Sequence, residues 1–156
     1  MDPSVAAQPF DLTGATALIT GAGSRTGIGF ACARLLGRQG AEVLLTATTE
    51  RVRRRAEELR DEGIDAAGWV GDLTDEAQVA ALAVAVEQRW RRLDALVNNA
   101  GMTSLAQPAA EEGPLTQLSF AAWTAGIRRN LDTAFLVSRA MLPMMSSPRG
   151  RIVMIA

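Results

Sequence analysis

The sequence contains no His, no Tyr and no Lys, and all sixteen of its basic residues are Arg. Without His the chain cannot build a Ser–His–Asp triad or a histidine-ligated metal site, and without Lys it cannot form a lysine Schiff base. Cys32 is the only cysteine, which excludes an intrachain disulfide and a Cys-x-x-Cys motif. We therefore predict no metal site and no nucleophilic triad within this chain.

Long apolar runs and an excess of either charge are also missing. The net charge is −1 with 21% charged residues, which gives no reason to expect a nucleic acid or a membrane surface as partner. No apolar run approaches the roughly 18 residues of a transmembrane helix, and residues 1–8 lack the features of a signal peptide. We predict a cytoplasmic protein with a leader over residues 1–12 and one domain over residues 13–156.

Short apolar runs alternate with stretches of helical periodicity along the chain. Strands separated by helices of 10–15 residues are typical of βαβ units and a parallel, doubly wound sheet. The predicted fold class is therefore α/β and Rossmann-like, with the chain ending after the fifth strand. The predicted strands are residues 16–20, 43–47, 67–70, 95–97 and 151–155.

Two helix starts and one loop are also predicted between these strands. Thr74 is expected to cap the helix before the fourth strand, and residues 102–118, which contain two Pro and a Gly, are expected to form a loop. Ser119 is expected to cap one long helix. The apolar face of that helix is predicted to run through Phe120, Trp123, Ile127, Leu131, Phe135, Ser138 and Leu142.

The glycine-rich segment over residues 20–29 carries the strongest chemical signal. It joins the first strand to the first helix, where unpaired N–H groups and the positive end of the helix dipole suit a pyrophosphate. Gly21 permits a tight turn, and Gly27 and Gly29 permit close approach of the backbone to a ligand. The spacing is neither G-x-G-x-x-G nor that of a P-loop, so a simple flexible loop is the alternative interpretation.

Four motifs in order resemble the short-chain dehydrogenase/reductase family. They are the glycine segment with Thr20-Gly21 and Gly27-Ile28-Gly29, the Asp72-Leu73-Thr74-Asp75 segment, the Asn98-Asn99-Ala100-Gly101 segment, and Asn130 followed by the fifth strand. The glycine loop is two residues longer than the common family form, which leaves the phosphate contacts of its middle residues open. The resemblance implies cofactor contacts from Gly21, Ser24, Arg25, Gly27, Ile28, Gly29, Thr48, Asp72, Leu73, Asn99, Ala100 and Gly101.

Four polar residues in these motifs have more than one possible role. Asp72 either accepts a hydrogen bond from an adenine amino group or caps the following helix. Asn98 and Asn99 either tie neighbouring strand ends together and touch a ribose, or form a simple turn. By resemblance, Asn130 would be the catalytic residue of the chain and hold a water in a proton relay; alternatively its amide is structural and bends the helix.

The end of the second strand indicates which nicotinamide cofactor is bound. An acidic residue there would accept from the ribose 2′-OH of NAD, but the chain has Ala47, Thr48 and Thr49 instead. Arg25 and Arg51 could pair with a 2′-phosphate, although Arg51 could also be an ordinary solvated residue. We predict NADP, with NAD as the alternative.

The resemblance implies hydride transfer between the cofactor and a small carbonyl or secondary alcohol, as in 3-oxoacyl-carrier-protein reductases. In the family the catalytic Ser and the Tyr-x-x-x-Lys pair follow the fifth strand, and the chain ends before them at Ala156. We expect a truncated reductase that is inactive alone and homo-oligomeric at full length. Alternatives are a non-catalytic dinucleotide sensor or scaffold and, less favoured because no acid ends the second strand, a methyltransferase.

Overall fold

The architecture was taken from a computed structural model, which describes residues 10–101, 114–145 and 150–155. Five parallel strands form one sheet in the order β3-β2-β1-β4-β5. The strands are β1 (Thr16–Ile19), β2 (Glu42–Ala47), β3 (Ala66–Val70), β4 (Ala95–Asn98) and β5 (Arg151–Met154). The helices are α1 (Ile28–Arg38), α2 (Arg51–Asp61), α3 (Glu76–Trp90), α4 (Phe120–Ile127) and α5 (Thr133–Met141). The predicted fold class is confirmed.

Helices cover both faces of the sheet because its central strand is apolar on both sides. Ala17 and Ile19 of β1 belong to the core cluster that includes α1 and α2, whereas Leu18 belongs to the cluster that includes α3 and α5. Successive side chains of a strand point to opposite faces, so one short apolar run supplies both cores. Ile19 lies opposite Leu45 of β2 and Val97 of β4, which brings the carboxyl ends of these strands together.

The strand order reverses between β1 and β4. From β1 the chain proceeds outward through β2 and β3, and it then returns to the other side of β1 to form β4 and β5. Loops that leave the carboxyl ends of strands diverge at such a point and leave a crevice in which open α/β sheets bind their ligands.

The predicted cap of α3 was wrong by one residue. Asp75, not Thr74, is the N-cap, and its side chain accepts from the backbone N–H of Ala77 at 2.8 Å. Thr74 instead gives both its N–H, at 2.9 Å, and its hydroxyl, at 2.8 Å, to Asp72 Oδ1. Asp72 draws Thr74 into this local turn, and the next residue is left to cap the helix.

The predicted long helix after Ser119 is interrupted, and its core face was wrongly assigned. Ser119 does cap α4, accepting from Ala122 N–H at 3.1 Å, but a π-helical turn over Arg128–Asp132 separates α4 from α5. The wider turn rotates the face that meets the core. Most of the predicted apolar face is exposed, and the buried residues of α5 are Thr133, Leu136, Val137 and Met141.

Some predictions fall outside the described residues. These are residues 1–9 of the predicted leader over residues 1–12, and residues 102–113 of the predicted loop over residues 102–118. Leu12 already packs against the core beside α1 and donates its N–H to the Gln39 carbonyl at 2.8 Å. Among the helices of the described part of the chain, none has the length and apolar character needed to cross a membrane.

Candidate functional site

A cavity of about 520 Å³ opens at the carboxyl ends of β1, β2, β3 and β4. The loops after all four strands line it, together with one wall from α4, the π-helical turn and α5. Seven residues predicted from the sequence are in this lining: Gly21, Ser24, Thr48, Asp72, Leu73, Ala100 and Gly101. The cavity thus occupies the switch point of the sheet, where the motifs placed it.

The turn between β1 and α1 forms the floor of one end of the cavity. Gly21 has φ +68°, and a Cβ built on it would lie 2.8 Å from Ala100 Cα, so only glycine fits there. Gly27 is the N-cap of α1 with extended backbone and provides no side-chain cap. The first N–H groups of the helix therefore have no capping side chain and are available to an anion.

The rest of the predicted glycine segment supports the cavity without lining it. Arg25 is 73% exposed and its Nε lies 3.7 Å from Glu58 Oε2 on α2, so it points away from the cavity. Gly27, Ile28 and Gly29 begin α1 and are not in the lining. The backbone of these residues lies near the cavity. Because the residues do not line it, the structure does not show how they would make the cofactor contacts predicted from the sequence.

Asn99 ties the ends of β1 and β4 together. Its Nδ2 donates to the carbonyl oxygens of Thr20 at 3.0 Å and Gly21 at 3.1 Å. The Thr20 hydroxyl in turn accepts from the N–H groups of Asn99 and Ala100, both at 2.9 Å. Asn98 makes a similar tie, donating to Ser138 Oγ of α5 at 2.9 Å. Two interpretations of these amides were possible: that they tie neighbouring strand ends together, or that they form a simple turn. The observed hydrogen bonds fit the first interpretation better.

The end of β2 presents hydroxyl groups and an arginine but no carboxylate. Thr48, Thr49 and Arg51 line the cavity, and Arg51 Nε donates to Thr49 Oγ1 at 3.3 Å. Glu50, the nearest acid, pairs with Arg53 at 2.7 Å and is not in the lining. This part of the cavity therefore favours a ligand with an anionic group.

Asp72 lines the cavity beyond β3, but the proposed capping role is wrong, because Asp75 caps α3. Both Thr74 groups donate to Asp72 Oδ1, and Oδ2 makes no hydrogen bond to another described residue. The Asp72 N–H donates to Gln78 Oε1 at 2.8 Å, which fixes the loop. One carboxylate oxygen thus stays available to a donor on a ligand.

Asn130 lies in the π-helical turn, beside the cavity but outside its lining. Its Nδ2 donates to the carbonyl of Gly126, four residues earlier, at 2.9 Å, which is a side-chain bond back to the helix backbone. A Cβ built on Gly101 would lie 2.5 Å from Asn130 Oδ1, so the amide oxygen faces the loop after β4. The two predicted roles, structural amide and water holder, are both compatible with this placement.

The sequence reasoning missed the wall contributed by α4 and α5. Ala125, Arg129 and Thr133 line the cavity at intervals of four residues, with Arg128 beside them. That spacing is visible in the sequence and is typical of one helix face. The apolar residues of the same segment obscure it, because they suggest a different inward face.

Comparison with known proteins decides the family of this chain. The family model described as short chain dehydrogenase matches residues 15–156. The chain belongs to the short chain dehydrogenase family. The resemblance inferred from the motifs is thereby confirmed.

This short chain dehydrogenase is similar to polyketide reductases and to nicotinamide-dependent oxidoreductases. It is 39% identical over 158 residues to a Streptomyces violaceoruber protein named as a ketoacyl reductase of the granaticin polyketide synthase, covering 99% of the chain and 53% of that protein. A metagenomic short-chain oxidoreductase in complex with NADP has a TM-score of 0.79 and 39% identity, with 93% of this chain and 63% of the other covered. The F189W actinorhodin polyketide ketoreductase with NADPH has a TM-score of 0.77 and 36% identity, with 91% and 52% covered. The chain spans about half the length of the curated relatives it matches.

Proposed function

We propose that this chain binds NADP(H) and forms the cofactor-binding part of a reductase that acts on a small carbonyl or secondary alcohol. The observation that carries the proposal is the cavity at the switch point, which lies beside an uncapped helix N-terminus and is lined by an arginine and by no acid at the end of β2. Related structures hold NADP or NADPH. When bound, the cofactor supplies or accepts the hydride.

In this proposal, different residues of the chain bind different parts of the cofactor. The first N–H groups of α1 and the Gly21–Ser24 turn hold the diphosphate. Asp72 accepts from the adenine amino group through its available oxygen, and Leu73 contacts the ring. Ala100 and Gly101 border the ribose on the nicotinamide side. Ile28 and Gly29 supply the first of these helix N–H groups, whereas Arg25, Gly27 and Asn99 act by shaping this surface.

The preference for NADP over NAD follows from charge at the end of β2. A carboxylate there would repel a 2′-phosphate, and the chain has Thr48 and Arg51 in reach of that position instead. A guanidinium can donate two parallel hydrogen bonds to a phosphate, and a hydroxyl can add a third.

Turnover requires groups that this chain does not contain. The sequence has no Tyr and no Lys, so the proton donor of the family and its partner are not among its residues. Asn130 is proposed to hold a water in the proton relay of the whole enzyme through its Oδ1, because its Nδ2 is already used. The chain alone is expected to bind cofactor without reducing a substrate.

The similarity to ketoacyl reductases favours a 3-oxoacyl thioester as substrate of the whole protein. A second copy of the protein is the proposed partner in a homo-oligomer, since the outer face of α4 and α5 is apolar.

Titration of the chain with NADPH and NADH tests the cofactor proposal. Wild type should bind NADPH more tightly than NADH, and Arg51→Gln should weaken NADPH binding about tenfold while changing NADH binding less than about twofold. Arg54→Gln removes the same charge from an exposed position on α2 outside the cavity and serves as the matched control. Absence of binding of both dinucleotides to the folded wild-type chain would refute the proposed function.

A further inference from the structure

We propose that Arg129 contacts the phosphates of the bound dinucleotide from the wall opposite the glycine turn, as a second cationic group besides Arg51. This inference rests on the proposed function and adds one residue that binds the negatively charged phosphates of the cofactor.

Arg129 is held at the cavity wall by packing of α5 after the π-helical turn and by a contact within the turn. After the turn, Leu136, Val137 and Met141 of α5 are buried in the core cluster that includes α3. Arg139 of α5 adds an ion pair to Glu76 of α3, at 2.9 Å. Within the turn, Asn130 lies against Gly101 of the loop after β4. The backbone that carries Arg129 is therefore fixed relative to the cavity.

Arg129 differs from Arg128 in its surroundings, although both line the cavity. Arg128 is exposed, and its charge contributes to the lowered pKa of Asp75, after the hydrogen bonds from the Gln78 amide and the Ala77 N–H. Arg129 is half-buried and makes no hydrogen bond or ion pair with any other residue in the described ranges. Its charge thus has no counterpart from that part of the chain.

Among the described residues, few acidic groups could neutralise Arg129. Asp72 is the one carboxylate that these residues contribute to the lining, and Thr74 already donates twice to one of its oxygens. Arg51 on the β2 side and Arg128 add positive charge to the same space. Like charges around one partly desolvated cavity repel each other, and a ligand with several phosphate charges relieves this repulsion.

The test measures dissociation constants of the full chain for NADPH and NADH with Arg129→Gln beside wild type. Arg54→Gln on the exposed side of α2 is the matched control, and circular dichroism verifies that each variant is folded. We expect Arg129→Gln to weaken binding about tenfold and Arg54→Gln less than about twofold. An equal loss for NADPH and NADH assigns the contact to the diphosphate that both carry, and a loss for NADPH alone assigns it to the 2′-phosphate.

The outcomes separate this inference from the proposed function. If wild type binds NADPH and Arg129→Gln binds it as tightly as Arg54→Gln does, the role of Arg129 is overturned while the cofactor site stands. If folded wild type binds neither dinucleotide, the proposed function and the inference fall together.

Discussion

Gly29 lies where the first turn of α1 meets the end of β4. A Cβ built there would lie 2.7 Å from Asn99 Nδ2 and 2.9 Å from the Gly21 carbonyl oxygen. These are the two groups joined by one of the hydrogen bonds that tie β1 to β4. A methyl group at this position would therefore separate the strand ends and deform the floor of the cavity.

We expect Gly29→Ala to lower the free energy of unfolding by about 1–3 kcal/mol, as overpacking of a tight site does. Gly126→Ala is the matched control, because a Cβ at Gly126 in α4 would meet nothing within 4 Å. That variant should gain about 0.5–1 kcal/mol from helix propensity. Urea denaturation of both variants measures the difference, and a Gly29→Ala protein as stable as Gly126→Ala would contradict the packing argument.

At the residue scale, the structural role of a residue could be predicted from the sequence where its type has few structural uses. Gly21 in a positive-φ turn and Asn99 between strand ends follow from glycine and amide chemistry, and the structure has both. Arg129 could not be identified in this way, because an arginine on a helix is usually solvated. Its importance depends on which face of the helix meets the cavity, and that is a property of tertiary packing.

At the scale of elements, strands were easier to predict than helix faces. Each strand is built on a short apolar run, and every predicted strand bound lies within one residue of the observed bound. The segment after Ser119 has apolar residues on more than one face, so periodicity alone does not identify the buried one. The π-helical turn then rotates α5 relative to α4, and nothing in the residue pattern specifies that rotation.

The N-terminus of α3 supplies a prediction about pH. Hydrogen bonds from the Gln78 amide and the Ala77 N–H, together with the charge of Arg128, hold the pKa of Asp75 below its ordinary 3.8. A carboxylate with a lowered pKa stabilises the folded state fully at pH values above the unfolded pKa. This contribution is lost as the pH falls through the pKa of the folded state.

We expect Asp75→Ala to lower the urea midpoint by a constant amount above about pH 5, and the difference from wild type to shrink below about pH 4. Asp75→Asn keeps a capping oxygen without the charge, so it should lie between the two proteins at neutral pH. Equal differences between wild type and Asp75→Ala at about pH 7 and about pH 3 would rule out an ionised cap as the cause.

At the scale of the whole molecule, an apolar surface remains exposed on one side of the sheet. Phe120 is 83%, Leu131 61% and Phe135 57% exposed along α4, the π-helical turn and α5. All four residues of the edge strand β5 are exposed as well. Exposed apolar side chains of this kind are typical of interaction sites, and an exposed edge strand can pair with a strand of a second chain.

We therefore expect the chain to self-associate in a concentration-dependent manner when its sedimentation is measured. The double variant Leu131→Gln/Phe135→Gln should lower the association constant about tenfold or more, because it removes two apolar side chains from the surface that would be buried. Leu35→Gln changes a leucine that is 59% exposed on α1, away from this surface, and should leave association unchanged. Both variants replace exposed side chains, so neither should unfold the protein. A double variant that associates as strongly as the Leu35→Gln protein would mean that α4 and α5 do not form the contact, and the exposed edge of β5 would then be the remaining candidate within the described residues.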